Sequence, residues 1–381
     1  MWPAHRDSCK AATAILINYG KTREHFDIEM SFFCREALKG DTRAQFNLGL
    51  CYLKGVGIAV DESAAIKWWR LAADSNHLEA QYNLGQCYFK GIGLAVDKSE
   101  ALRRWMIAAE AGFATAQYSV GFCYESASIN QCEEAVKWYT RAAEKGQIDA
   151  MMAVAQCFET GKGVPLNIDE AMKWYQLAAN NGNTKAQKKL GLSYFRGINV
   201  PVDEKMGVYW YSQAAEGGDV FSQNSLGICY ENGIGCSIDT REAVKWYSRA
   251  AAKSDLQAMH NLAVCLEHGV GHVVNESEAF KWYKRAAEAG NTSSQVNLGF
   301  CYANGIGVAS PNYSEAFKWY THAAAKDGNV TALYNLGICF ERGRGCVADK
   351  SEALLFFTRA ADGGHQGALL KACQLGAAAV S

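Results

Sequence analysis

Small and apolar residues return along this chain in one fixed order. Ala44-Gln45-Phe46-Asn47-Leu48-Gly49-Leu50-Cys51-Tyr52 reappears 36 residues later as Ala80-Gln81-Tyr82-Asn83-Leu84-Gly85-Gln86-Cys87-Tyr88. The unit restarts at Ala116, Ala150, Ala186, Ser222, Ala258, Ser294 and Ala332. Seven of the nine units have 36 residues; the third has 34 and the eighth 38. Positions are counted from the first residue of each unit as offset zero. Small, apolar and aromatic residues at offsets 0, 4, 5 and 8 then fall on one face of a helix, helix A. Offset 5 is Gly or Ala in all nine units, which predicts close approach by a partner helix. Glycine at offset 11 (Gly91, Gly161, Gly233) predicts the end of helix A, because a residue without Cβ takes the left-handed conformation at no steric cost.

A second helix, B, follows in each unit. Eight units carry Asp or Asn at offset 17: Asp61, Asp97, Asn167, Asp203, Asp239, Asn275, Asn312 and Asp349. Their side-chain oxygens suit the orphan amides of a first turn. Glu100, Glu170, Glu242, Glu278, Glu315 and Glu352 stand three residues on, the spacing of a capping box. Glu134 holds that place in the third unit, behind Gln131. An aromatic pair comes next, such as Trp138-Tyr139 or Trp246-Tyr247, then Ala-Ala in every unit, then a terminating Gly in most (Gly112, Gly146, Gly182, Gly290).

One such hairpin cannot bury its apolar face, whereas a stack can. The expected architecture is all-α: a right-handed α-solenoid superhelix of about nine two-helix repeats. The repeats span 44–79, 80–115, 116–149, 150–185, 186–221, 222–257, 258–293, 294–331 and 332–367. They leave no room for a separate catalytic domain. Before them, Phe32-Phe33, Ala37 and Gly40 match the end of a helix B, so 1–43 reads as a degenerate capping repeat. After them, 368–381 reads as one further helix A, poor in charge, and this weak cap predicts fraying or end-to-end self-association.

The pattern resembles the Sel1-like repeat family, whose geometry is tetratricopeptide-like. The second unit carries most of the motif: Ala80, Leu84-Gly85, Tyr88, Gly91, Gly93, Asp97, Ala101, Trp105, Ala108-Ala109 and Gly112. The 36-residue period and the Gly-x-Gly link separate it from the 34-residue tetratricopeptide pattern. The third unit lacks the link, the fifth has Asn199 for its second Gly, and Gly207 and Tyr209 sit in the fifth helix B. The resemblance implies an adaptor or scaffold that assembles protein complexes. An alternative is a regulatory subunit of a separate enzyme, such as a kinase, ubiquitin ligase or cell-wall synthase complex. Some cysteine-rich relatives are secreted and described as β-lactamases, which makes a hydrolase the third reading.

Composition narrows the classes. Lys and Arg number 38 against 39 Asp and Glu, so no basic surplus exists for nucleic acid or an anionic membrane. No apolar run approaches the about 18 residues a membrane span needs. The run Ala11 to Ile17 has an acid before it and no clear cleavage site after it, which argues against a secretory signal.

Several motifs reduce to the repeat. A phosphate-binding glycine loop follows a strand, whereas Gly55-x-Gly57 and its equivalents follow a helix. Gly20-Lys21-Thr22 matches the end of a phosphate loop, but Ile15 stands where its first Gly belongs. Eight units carry Cys at offset 7: Cys51, Cys87, Cys123, Cys157, Cys229, Cys265, Cys301 and Cys339. Stacked helices lie about 8–10 Å apart, and disulfide Cα atoms must come within about 7 Å. A ladder of one thiol per unit therefore does not pair, which points to reduced core residues and a cytoplasmic, reducing compartment; the secretory-pathway lumen is the alternative. Cys265, His268 and His272 have metal-like spacing, yet each occupies an ordinary repeat position. The Lys137/Arg141, Lys245/Arg249 and Lys281/Arg285 pairs are balanced by Glu134, Glu242 and Glu278. Neither Ser-x-x-Lys nor Gly-x-Ser-x-Gly occurs, and no cofactor, metal or catalytic residue is expected. Sequons at Asn275, Asn291, Asn312 and Asn329 read as composition, the first and third being helix caps.

The expected working surface is a concave groove lined by the A helices, holding a protein or peptide. Offset 3 supplies Asn47, Asn83, Asn261, Asn297 and Asn335, whose amides donate and accept as an extended backbone requires. Offsets 2 and 6 supply Tyr82, Tyr118, Phe122, Phe300 and Tyr334, and offset 9 supplies Glu125, Glu159, Glu231, Glu267 and Glu341. The prediction is an Asn row, an aromatic wall and an acidic stripe suited to a basic segment.

Overall fold

The computed structural model describes residues 32–127 and 131–378. Three features of the sequence reading, Ala11 to Ile17, Gly20-Lys21-Thr22 and most of the 1–43 cap, lie outside the described residues. Among those described there are twenty helices and no strand. The A helices are Thr42–Lys54, Leu78–Lys90, Ala114–Ala127, Ile148–Thr160, Thr184–Arg196, Val220–Asn232, Leu256–His268, Thr292–Asn304 and Val330–Arg342. Each is followed by its B helix, from Glu62–Asp74 in the first hairpin to Lys350–Asp362 in the ninth. A short helix over 32–38 precedes them, and Gln366–Ala378 follows. The chain divides into two compact blocks, Met1–Ala186 and Gln187–Ser381, and each is a stack of such hairpins.

Within a hairpin, the small residue at offset 5 receives the second aromatic of helix B. A methyl added at Gly85 would overlap the Trp105 indole, and one at Gly227 would lie 2.6 Å from the Tyr247 ring. These aromatics are among the most deeply buried side chains of the fold. Where the aromatic is Trp, its Nε1–H donates to helix A: Trp69 to the Phe46 carbonyl and Trp105 to the Tyr82 carbonyl, both at 3.1 Å.

Between hairpins, the second glycine of the link meets the preceding B helix. A Cβ on Gly163 would strike the Cys132 carbonyl, one on Gly271 the Thr240 carbonyl, and one on Gly345 the Tyr313 carbonyl. Asn199 takes the same left-handed conformation (φ 65°) in the fifth link. A buried glutamine at offset 1 adds a second tie. Gln81 Nε2 donates to the Ala73 carbonyl at 2.9 Å, Gln117 to Ala109 at 3.0 Å and Gln223 to Ala215 at 2.9 Å. Gln45 does the same to Ala37 at 3.1 Å, so 32–38 stands in the place of a helix B, with Gly40 (φ 95°) ending it.

All eight predicted caps accept from the backbone of their own first turn, as Asp61 does from Ala64 N at 2.8 Å and Asn275 from Glu278 N at 3.0 Å. The capping box, however, is only half made. The cap's own N–H goes instead to helix A of the same hairpin: Asp97 to the Tyr88 carbonyl, Asn167 to Phe158 and Asp239 to Tyr230, each at 2.9 Å. The third-position Glu turns outward to a base one turn on, Glu170 to Lys173 at 2.9 Å and Glu315 to Lys318 at 2.7 Å. A helix-A carbonyl held in place by packing has displaced a flexible carboxylate.

The candidate A-helix binding surface

Each block presents the exposed sides of its A helices, and the predicted residues divide there by how much of each is open. In the block 1–186, Phe122 is 43% exposed, with its edge toward Phe89. Tyr82 is half-buried against Phe113 and Trp105, and its hydroxyl accepts from Gln86 Nε2 at 2.9 Å. Tyr118 lies over Tyr139, and burial, with Asp149 and Glu125 nearby, pushes its hydroxyl up to about 12. Asn47 is half-buried, while Asn83 is 6% exposed and belongs to the interior.

In the block 187–381, Phe300 is 48% exposed. Asn261 Nδ2 donates to Asn224 Oδ1 at 3.1 Å, and Asn261 Oδ1 accepts from Gln257 at 3.0 Å. Asn297 and Asn335 are half-buried, the former beside the Tyr283 hydroxyl. Tyr334 stacks on His365 with ring centres 4.3 Å apart.

Four of the five glutamates at offset 9 are engaged inside their own hairpins. Tyr139 Oη donates to Glu125 at 2.7 Å, Tyr175 to Glu159 at 2.7 Å, Tyr247 to Glu231 at 2.6 Å and Tyr283 to Glu267 at 2.7 Å. Burial first, and the carboxylate second, raise these tyrosine hydroxyls well above their usual range. Lys162 adds a bond to Glu125 at 3.0 Å, and in the ninth hairpin, where Phe357 has no hydroxyl, Lys371 binds Glu341 at 2.8 Å. Four of the row are thus ties between helices A and B, and Glu341 ties helix A to the helix that follows its hairpin. The charge of the row is partly neutralised, so the acidic stripe is weaker than its spacing suggests.

Two further residues matter here, neither of them among the residues expected to line the groove. Phe221, just before the sixth unit, is 48% exposed beside Tyr211, with Lys188 Nζ 5.9 Å from its ring centre. His260 sits at offset 2, and its Nδ1 lies 3.1 Å from Ser294 Oγ. This nucleophile–base contact does not make a hydrolytic site. Ser294 is fully buried at the start of an A helix, where nothing can reach its oxygen, and burial lowers the basicity of His260. Among the described residues no three His, Cys, Asp or Glu side chains gather as a metal-holding group. No helix of the described residues is long and apolar enough to cross a membrane.

Comparison with known proteins adds the following. The family model described as Sel1 repeat matches nine consecutive segments: 42–77, 78–113, 114–147, 148–183, 184–219, 220–255, 256–291, 292–328 and 330–365. A protective antigen present in uropathogenic Escherichia coli strains, displaying an SLR fold, is 27% identical; the match covers 91% of this chain and 82% of that one, with a TM-score of 0.69. A Sel1 repeat protein from Oxalobacter formigenes is 25% identical over 91% of each chain, with a TM-score of 0.51. No curated protein matches the sequence.

Proposed function

The chain belongs to the Sel1 repeat family, and on that premise we propose that it is a non-enzymatic scaffold that holds a segment of a partner protein along its A helices. One observation carries the reading: Phe221 and Phe300 in the second block, and separately Phe122 in the first, stand exposed on A helices whose other large apolar side chains are buried or half-buried. Large exposed aromatics are costly to leave in water and serve well as anchors at interfaces. Half-buried Asn297 shares a helix with Phe300, and Asn47 and Asn335 lie on A helices of the first and ninth hairpins; their amides suit a peptide backbone. The partner segment is apolar or aromatic at its anchors, and the engaged glutamates give only a secondary preference for bases. A reducing compartment suits the chain, since seven of its eight ladder thiols are buried and Cys123 is half-buried.

The test is affinity capture from the native cell with the wild-type chain and with Phe122→Ala, Phe221→Ala and Phe300→Ala together. The reading expects one co-purifying protein to be lost from the triple variant while the circular dichroism spectrum is kept. Undiminished capture by the folded variant would move the binding surface elsewhere. Turnover of a β-lactam by the purified chain would instead favour the hydrolase reading. If the captured protein is itself an enzyme, the scaffold is its regulatory subunit.

A further inference from the structure

Two hairpins set a second cysteine against the apolar cluster that holds their ladder cysteine, Cys236 with Cys229 and Cys346 with Cys339, and the two pairs share one local design. Each has its first thiol at offset 7, on the final turns of helix A, and its second at offset 14, in the link. The link is a closed loop. The Cys229 carbonyl accepts from Gly233 N and from Ile234 N, and the Asp239 N–H returns to the Tyr230 carbonyl at 2.9 Å. Gly233 and Gly235 both take positive φ, which lets the chain double back over the helix end. Cys236 consequently packs into the small cluster that holds Cys229, with Val208 and Trp246.

The ninth hairpin repeats this. The Cys339 carbonyl accepts from Gly343 N and Arg344 N, Asp349 N–H returns to the Phe340 carbonyl, and Cys346 packs against the cluster that holds Cys339. Elsewhere offset 14 carries Ile58, Leu94, Val164, Val200 or Val308, all half-buried, and in the seventh unit an exposed His272. An apolar side chain or a cysteine at this position turns toward the end of helix A that carries the ladder thiol. The two thiols of each pair lie within one hairpin, so the separation of about 8–10 Å between stacked helices does not hold them apart.

We propose that Cys229–Cys236 and Cys339–Cys346 are two dithiol sites that close to internal disulfides by exchange with a small-molecule disulfide such as oxidised glutathione, stapling helix A to its link. The half-buried Cys236 reacts first. Its thiolate attacks one sulfur of the reagent, the reagent's S–S bond breaks, and one glutathione thiolate leaves. The Cys229 thiolate then attacks the Cys236 sulfur of the mixed disulfide and expels nothing but the second glutathione. Two protein thiols and one external disulfide become one internal disulfide and two glutathione thiols. Cys346 and Cys339 follow the same course. Burial pushes Cys229 and Cys339 up to about 12 and raises Cys236 and Cys346 as well, so the sites are slow thiols and stay open in a reducing compartment.

The test incubates the purified full chain with oxidised glutathione at mildly alkaline pH, blocks remaining thiols without reduction, digests with trypsin and maps the cysteines by mass. No Lys or Arg lies between Cys229 and Cys236, so that pair is expected in one unblocked peptide two hydrogens lighter. Arg342 and Arg344 lie between Cys339 and Cys346, so that pair is expected as two peptides joined by the bond. Four thiols are lost from the 14, and dithiothreitol restores them. In C236S and C346S, which keep the ladder cysteines, Cys229 and Cys339 should return to the blocked pool. Stable glutathione adducts on Cys236 and Cys346 without closure would overturn the proposal. So would bridges scattered among other cysteines, or bridges formed only after the chain is unfolded in guanidinium.

Discussion

At offset 5 of helix A, one methyl group separates two kinds of hairpin. Ala155 and Ala263 stand opposite Tyr175 and Tyr283, while Gly49 and Gly85 stand opposite Trp69 and Trp105. A tyrosine ring therefore tolerates the methyl, and a wider indole, tied to helix A through its Nε1–H, leaves no room for it. Gly85→Ala is expected to lower stability by a net of about 1–2 kcal/mol, overpacking outweighing the gain in helix propensity. Gly227→Ala, whose methyl would lie 2.6 Å from the buried Tyr247 ring, is expected to cost less than Gly85→Ala, because Ala155 and Ala263 show that a tyrosine hairpin can shift to admit a methyl. Urea unfolding midpoints of the two variants decide it, and equal losses would contradict the argument. The smallness of offset 5 was legible in the sequence because it recurs nine times. The engagement of the glutamates was not: Glu231 and Tyr247 are 16 residues apart on different helices, and only the way those helices cross brings hydroxyl to carboxylate.

The ends of the helices show where sequence reasoning works and where it stops. Caps on helix B were legible because the acceptor and the amide it serves lie within one turn. The missing half of the capping box was not, because the rival acceptor belongs to helix A, nine or ten residues back. Caps on helix A also escaped notice, although Asp219, Asp255, Asn291 and Asn329 all serve there, so all four sequon asparagines prove to be caps. The second hairpin uses His77, whose Nδ1 accepts from Ala80 N and whose ring stacks on Phe46. Burial lowers the pKa of His77 below 6.5, against the opposite pull of Glu79, whose carboxylate is 3.3 Å away. In the window between the lowered folded pKa and 6.5, the unfolded chain binds more protons than the folded one, so this cap's contribution is complete above pH 6.5 and is lost as pH falls through the folded value. His77→Asn, which copies the cap at Asn183, is expected to remove this part of the acid sensitivity. Amide exchange in helix Leu78–Lys90 checks it; if wild type and variant lose protection in parallel below pH 6.5, the cap is not the cause.

At the scale of the molecule, every interior hairpin offers its successor the same set of partners, and this makes one deletion benign and another damaging. Removing 256–291, a whole repeat of the second block, joins Asp255 to Thr292. Asp255 then caps Ser294 as Asn291 did, Gln295 meets the Ala251 carbonyl in place of Ala287, and Gly307 lies on Thr240 as Gly271 does now. Nearest-neighbour stacking predicts that such a chain keeps its helical signal per residue and unfolds with lower stability but undiminished cooperativity. Removing only 256–273, one helix A and its link, sets two B helices in succession. The small residue at offset 5, Ala263, and the Leu266 carbonyl that receives the Asn275 N–H both disappear, leaving the large buried Tyr283 and a helix end without partners. That chain is expected to lose helix beyond the deleted residues and to expose tryptophan. Circular dichroism and tryptophan emission on the two deletions give the comparison, and equal behaviour would mean that the repeat, as a unit of hairpin on hairpin, is not what carries the fold.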